Sequence, residues 1–186
     1  MNLLYNATDG CALISSNEGW GLSLTEARMC GLPILANVQG GMQDQMRFED
    51  EEGNWINFTK EFPTNHKGKY RKCGKWVYPV FPSNISIVGS VPTPYIYDER
   101  VQADDVATQL LRAWHYKTNQ PELFDLQKQA AYEWVCSDES RQTSEHMCED
   151  IIKGIETTLN KFKPKPKFEL IRVEVPEVSK HYISFQ

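Results

Sequence analysis

Glu18 and Glu26 stand with seven residues between them, astride the turn Gly19-Trp20-Gly21 in the segment EGWGLSLTEARMCGLPILA. One carboxylate precedes a glycine turn and the other lies one turn inside the helix that should follow. That arrangement suits a charged, hydroxyl-rich ligand. The two glycines admit tight backbone geometry and close ligand approach. The amides of Gly21, Leu22 and Ser23 open the helix without intrahelical acceptors, at the positive end of its dipole, and would receive a diphosphate. A carboxylate beside a diphosphate is repelled unless another group engages it. The neighbouring hydroxyls of a ribose can donate to both oxygens of Glu26. Glu18, across the turn, is placed for the hydroxyls of a sugar beyond the diphosphate and for positive charge building at an anomeric carbon. Gly40-Gly41 would close the same pocket from the next strand, or serve only as a tight turn. Trp20 suits a pocket wall and core packing equally.

The elements that must position these groups are legible nearby. Residues 11–15, CALIS, form a short apolar run between Asp9-Gly10 and Ser16-Asn17, as expected of a strand buried on both faces. Gly21 to Cys30 has no internal Gly or Pro and stops at Gly31, with Pro33 beyond, which predicts a helix. Pro33 to Ala36 reads as a second buried strand, followed by the loop Asn37 to Gly41. Strand, helix and strand at this spacing make a parallel βαβ unit, so the expected fold class is α/β around a Rossmann-like parallel sheet. Ligands of such sheets bind beyond the C-terminal ends of the strands, where Glu18 and Gly40-Gly41 fall.

Past Met42 the pattern decays. Residues of about 45–101 read as a long insertion with an acidic run, Glu49 to Glu52, and a basic stretch, His66, Lys67, Lys69, Arg71, Lys72 and Lys75, with Tyr70 and Trp76. The basic stretch is similar to a polyanion-binding patch, although a solvated loop is the preferred reading. Short strands are expected within the insertion, at Trp76 to Val80 and Ile85 to Val88. Asp104-Asp105 should cap a helix with Val106, Leu110, Leu111 and Trp114 on its buried face. Pro121 should open the next, carrying Leu123, Leu126, Ala130, Trp134 and Val135. A last helix, from Ser140 or Thr143, runs through Met147, Ile151, Ile155 and Leu159. Residues 1–160 are expected to form one partial nucleotide-binding domain and 161–186 a tail, in which Phe168 to Val175 alternates like an edge strand or arm.

Composition sets the outer limits. The 186 residues carry a net charge of −5 with 40% hydrophobic and 24% charged content, which gives no long-range pull on nucleic acid or anionic lipid. No apolar run approaches the roughly 18 to 20 residues of a membrane span, and no secretory leader is evident, so the expectation is a cytoplasmic protein. The sequons at Asn6, Asn57 and Asn84 then carry no glycan. Five cysteines, an odd count without a Cys-x-x-Cys pair, argue against a disulfide framework or zinc site, with Cys11 and Cys30 as small core residues. The four histidines are scattered without ligand spacing, so no metal is expected.

The segment EGWGLSLTEARMCGLPILANVQGG resembles the donor-binding segment of GT-B glycosyltransferases, specifically family four and its glycogen synthase relatives. The shared pattern is Glu, Gly-aromatic-Gly, a second Glu after seven intervening residues, then Ala, a small residue and Gly-x-Pro. LYNATDGCALIS upstream is similar to the helix end, aspartate and strand of the same family. The resemblance covers residues 3–44 closely and 102–160 more loosely, and does not extend over 45–101 or the tail. It implies the C-terminal donor-binding domain of a retaining, metal-independent hexosyltransferase. Glu18 would be the catalytic residue at the donor sugar, with Gly19, Trp20, Gly21, Leu22, Ser23, Glu26, Gly40 and Gly41 binding the donor. It also implies partners: a nucleotide diphosphate sugar, a glycosyl acceptor, and the family's N-terminal half, supplied by the same or another chain. The contrasting expectation is a binding or scaffolding protein that keeps part of the fold without turnover.

Overall fold

The computed structural model describes residues 2–56, 68–92 and 95–165. The expected arm at 168–175, the sequon Asn57, and His66 and Lys67 of the basic stretch lie outside the described residues. The chain divides into two compact units, Met1–Cys148 and Glu149–Gln186, a division earlier than the expected domain end at 160.

The first unit begins with a short helix, α1 (Asn2–Asn6), and a strand, β1 (Cys11–Leu13), followed by α2 (Leu22–Met29) and β2 (Ile34–Asn37). After a 3-10 turn at Gly40–Gln45 comes β3 (Val77–Val80), and the three strands form one parallel sheet in the order β1-β2-β3. Cys11 pairs with Ile34 and Ile34 in turn with Val77. β3 falls inside the span read as an insertion, yet it is the third strand of the main sheet. What remains outside the sheet is the segment before β3 and an antiparallel hairpin, β4 (Asn84–Val88) and β5 (Ile96–Arg100). The expected strand at Ile85 to Val88 is there as β4, whereas β5 was not foreseen.

β2 has a strand on each side and all four of its residues are buried. Its alternation divides the core between the two sheet faces. Ile34 and Ala36 join Leu24 and Ala27 of α2, Met42, Met46, Phe48 and Trp76. Leu35 faces the other way, with Tyr78 and Val80, against Val106, Ala113 and Tyr116 of α3 (Ala103–Asn119). β1 was expected to be buried on both faces, but it is an edge strand and Ala12 is exposed.

α2 ends as its sequence requires. Gly31 adopts φ 71°, its amide donates to the Arg28 carbonyl at 2.8 Å, and the Leu32 amide donates to Ala27 at 3.0 Å. These paired bonds satisfy the last carbonyls through a left-handed residue that glycine accepts at little cost. α4 (Pro121–Val135) starts at Pro121, and buries Phe124, Ala131, Trp134 and Val135. Asp104-Asp105 do not cap α3: the cap position is Gln102, which makes no side-chain cap bond, and the aspartates occupy the first turn. The expected buried face of α3 is also rotated, with Leu110, Leu111 and Trp114 more than half exposed. Leu123 and Leu126 of α4 are exposed as well. The last helix, α5 (Ser144–Lys161), runs across the division between the units; its residues beyond Cys148 belong to the second, and none of its residues is buried. Among the described residues, no helix is long and apolar enough to cross a membrane.

Candidate functional site

The turn that follows β1 is set against the loop that follows β2. The Glu18 amide donates to Gln39 Oε1 at 3.3 Å, and the Gly41 amide donates to the Glu18 carbonyl at 3.3 Å. Gln39 Nε2 reaches the Ser15 carbonyl at 3.4 Å, and Asn37 Nδ2 bridges the carbonyls of Ser15 and Glu99 at 3.0 and 2.7 Å. Gly40 and Gly41 are required by this approach. A Cβ on Gly40 would collide with the Glu18 carbonyl, and one on Gly41 with the carbonyl of Gly19. The pair is therefore a contact surface between the two loops at the C-terminal ends of adjacent strands.

Gly21 caps α2 with φ 82° and ψ 66°, the left-handed region where a side chain is strained. A Cβ there would also stand 3.0 Å from the Leu13 side chain. Lacking a side chain, Gly21 places no capping oxygen over the first amides of α2. Leu22 is exposed, Ser23 is half-buried, and the opening turn of the helix keeps its positive end uncovered by a cap.

The two carboxylates sit in unlike surroundings. Glu18 is half-buried, and among the described residues its carboxylate has no hydrogen-bond or ion-pair partner. Glu26 is exposed on α2 and accepts a hydrogen bond from the Tyr5 hydroxyl, 2.8 Å from its Oε2. That bond, with burial and the Glu26 charge behind it, pushes the Tyr5 hydroxyl up to about 12, so Tyr5 stays a donor at neutral pH. The Cys11 thiol, raised by burial, is raised further by the same carboxylate. Cys11 and Cys30 are both half-buried against the core.

Trp20 is half-buried and lies outside the hydrophobic core clusters. Its indole N–H donates to Thr25 Oγ1 at 3.0 Å, Thr25 donates to Gln45 Oε1 at 2.8 Å, and Gln45 Nε2 donates back to the Trp20 carbonyl at 2.5 Å and to that of Gly21 at 3.2 Å. Arg28, fully buried, donates from Nη2 to Gln45 Oε1 at 2.6 Å and to Gln142 Oε1 at 2.5 Å. Burial pushes the Arg28 guanidinium down to about 9, still charged at neutral pH, and among the described residues its buried Nη1 has no hydrogen-bond partner. The outer side of Trp20 lines a cavity of about 280 Å³ with Asp44, Trp55 and residues 139–142. Burial there holds the Asp44 carboxyl up at about 6.

The expected site residues thus lie on the turn after β1, on α2 and on the loop after β2: Glu18 and Gly19 meet Gly40-Gly41, Gly21 to Ser23 open α2, and Glu26 lies within α2 against Tyr5. Tyr5, Gln39, Gln45 and Arg28 were not foreseen. Gln39 sits inside the quoted loop and Tyr5 just upstream of β1, but hydrogen bonds spanning 21 residues leave no periodic trace in a sequence. Among the described residues, no group of three or more His, Cys, Asp or Glu is placed to hold a metal. No known protein-family profile matches the chain, and no curated protein matches it.

Proposed function

We propose that this chain is the donor-nucleotide half of a GT-B-type glycosyltransferase that transfers a hexose, with retention, from a nucleotide diphosphate sugar. The observation that carries the reading is the joining of two loops at the ends of parallel strands. The Glu18 turn enters α2 through an uncapped left-handed glycine, and Gly40-Gly41 press against its backbone. In this reading the first amides of α2 receive the diphosphate. Glu26 accepts ribose hydroxyls, and its bond from Tyr5 fixes one oxygen while leaving the other to the ligand. Glu18, without a competing partner among the described residues, faces the hexose. As the bond from the anomeric carbon to the diphosphate breaks, its electron pair leaves with the phosphate. The Glu18 charge stabilises the cationic carbon until an acceptor hydroxyl adds on the face the diphosphate left, giving its proton to a diphosphate oxygen.

The alternative is a binding protein that keeps the nucleotide site without transfer. The observation favouring it is the open β1 edge of a sheet with only three described strands, since parallel sheets are ordinarily extended and covered on both faces. One set of variants separates the two. The chain is titrated with UDP, ADP and GDP, and the matching nucleotide hexose is tested for turnover by nucleotide release. Glu26→Gln should weaken nucleotide binding about tenfold, the loss of a charge-assisted bond. Glu18→Gln should leave that binding unchanged and lower kcat at saturating donor. Binding without turnover in the parent selects the alternative, and unchanged binding and kcat in both variants would sink the glycosyltransferase assignment.

A further inference from the structure

The described cations of the basic stretch before β3, Lys69, Arg71, Lys72 and Lys75, are exposed, and three of them border one cavity. Arg71, Lys72 and Lys75 line a cavity of about 480 Å³, and Arg112 reaches it from α3. Tyr116 and Leu126 supply an aromatic and an aliphatic wall. Small-molecule sites run from about 300 to 1,000 Å³, so the space matches one compact ligand and not a polymer.

The charge of this cavity is one-sided. Glu49 also lines it but is already paired with Arg47. Arg71 is held over the Phe81 ring with its guanidinium carbon 4.1 Å from the centroid, and Lys72 Nζ is 3.5 Å from the Glu51 carbonyl. Lys75 and Arg112 have neither a hydrogen bond nor an ion pair among the described residues. Arg112 is exposed at the cavity rim, and its charge lies near enough to Cys73 and Tyr78 to oppose the rise that burial gives both groups. Two long cations without an anion among the described residues, coming from different elements to the rim of an apolar-walled space, suit a ligand that carries a negative head and an apolar body.

We propose that this cavity binds a small phosphate ester with an apolar or aromatic body, its phosphate between Arg112 and Lys75 and its body against Tyr116 and Leu126. The cavity lies on the β3 flank, with Lys75 just before that strand begins, whereas Glu18 follows the end of β1. It is a second site, independent of the donor-binding reading. The acidic total of the chain disfavours a nucleic acid backbone as the occupant.

The full chain is titrated with 1-naphthyl phosphate, followed by its fluorescence, alongside inorganic phosphate and 1-naphthol. The ester should bind more tightly than either half alone, and its affinity should fall as salt is raised. Arg112→Gln and Lys75→Gln should each weaken the ester about tenfold, with thermal melting unchanged because both side chains are exposed. Glu26→Gln should leave ester binding as it is, which separates this site from the nucleotide site. No binding of the ester overturns the proposal, as does ester binding unaffected by both cation substitutions. Inorganic phosphate binding as tightly as the ester overturns the assigned role of the apolar wall.

Discussion

At the scale of single residues, Glu18 and Glu26 differ in setting: Glu18 is half-buried, and Glu26 is exposed and held by Tyr5. Tyr5 is the residue that differentiates them, because it donates to Glu26 and reaches nothing on Glu18. Removing its hydroxyl should therefore act on Glu26 alone. Tyr5→Phe is expected to cost about 1 kcal/mol of stability, a typical net hydrogen bond, read from the urea midpoint. The same substitution should delete one late-titrating tyrosine from an absorbance titration. The sign follows from the direction of the shift. With its folded value raised to about 12 from 10.0, Tyr5 contributes stability that is complete below pH 10 and is lost as pH climbs through 12. A Tyr5→Phe protein whose high-pH stability profile parallels that of the parent would refute the bond as a determinant of stability.

At the scale of elements, the contact between the two strand-end loops rests on the absence of two side chains. Gly41→Ala should force the Glu18 turn and the β2 loop apart and cost about 3 kcal/mol, the upper range for overpacking. Gly53→Ala serves as a comparison, since a Cβ there meets nothing within 4 Å and only its φ of 88° adds strain. Equal losses in the two variants would remove the contact as the explanation. The elements around this joint were the readable part of the sequence. α2 is bounded by glycines whose left-handed conformations are local requirements, and α4 starts at a proline for an equally local reason. β3 was readable as a strand but not as a member of the main sheet, because its partner β2 is forty residues away in sequence and no local pattern records that pairing. The face of α3 was misread for a related reason. Val106 meets the sheet as expected, but Leu110, Leu111 and Trp114 of the same reading stay exposed, and Ala113 and Tyr116 take their place. Of the candidate site, the backbone framework was legible. The side chains that brace it come from distant positions and were not.

At the scale of the whole molecule, pH should act on folding through Asp44. Its folded value is raised to about 6 from 3.8, so its favourable contribution is complete below pH 3.8 and is lost as pH rises through 6, where a half-buried charge must be carried. Asp44→Asn is expected to flatten this decline, measured as the urea midpoint between pH 4 and 7; parallel profiles for the two proteins would exclude Asp44 as its source. The buried guanidinium of Arg28 reaches further along the chain than any other link in the Trp20 network. One of its acceptors, Gln142, lies 114 residues downstream. A polypeptide leaves the ribosome N-terminus first, so the Glu18 turn is synthesised long before the residue that completes its bracing. A nascent chain stopped short of position 142 would hold Arg28 by Gln45 and the Leu24 carbonyl alone, so the last bond of this network closes only after more than a hundred further residues have been added.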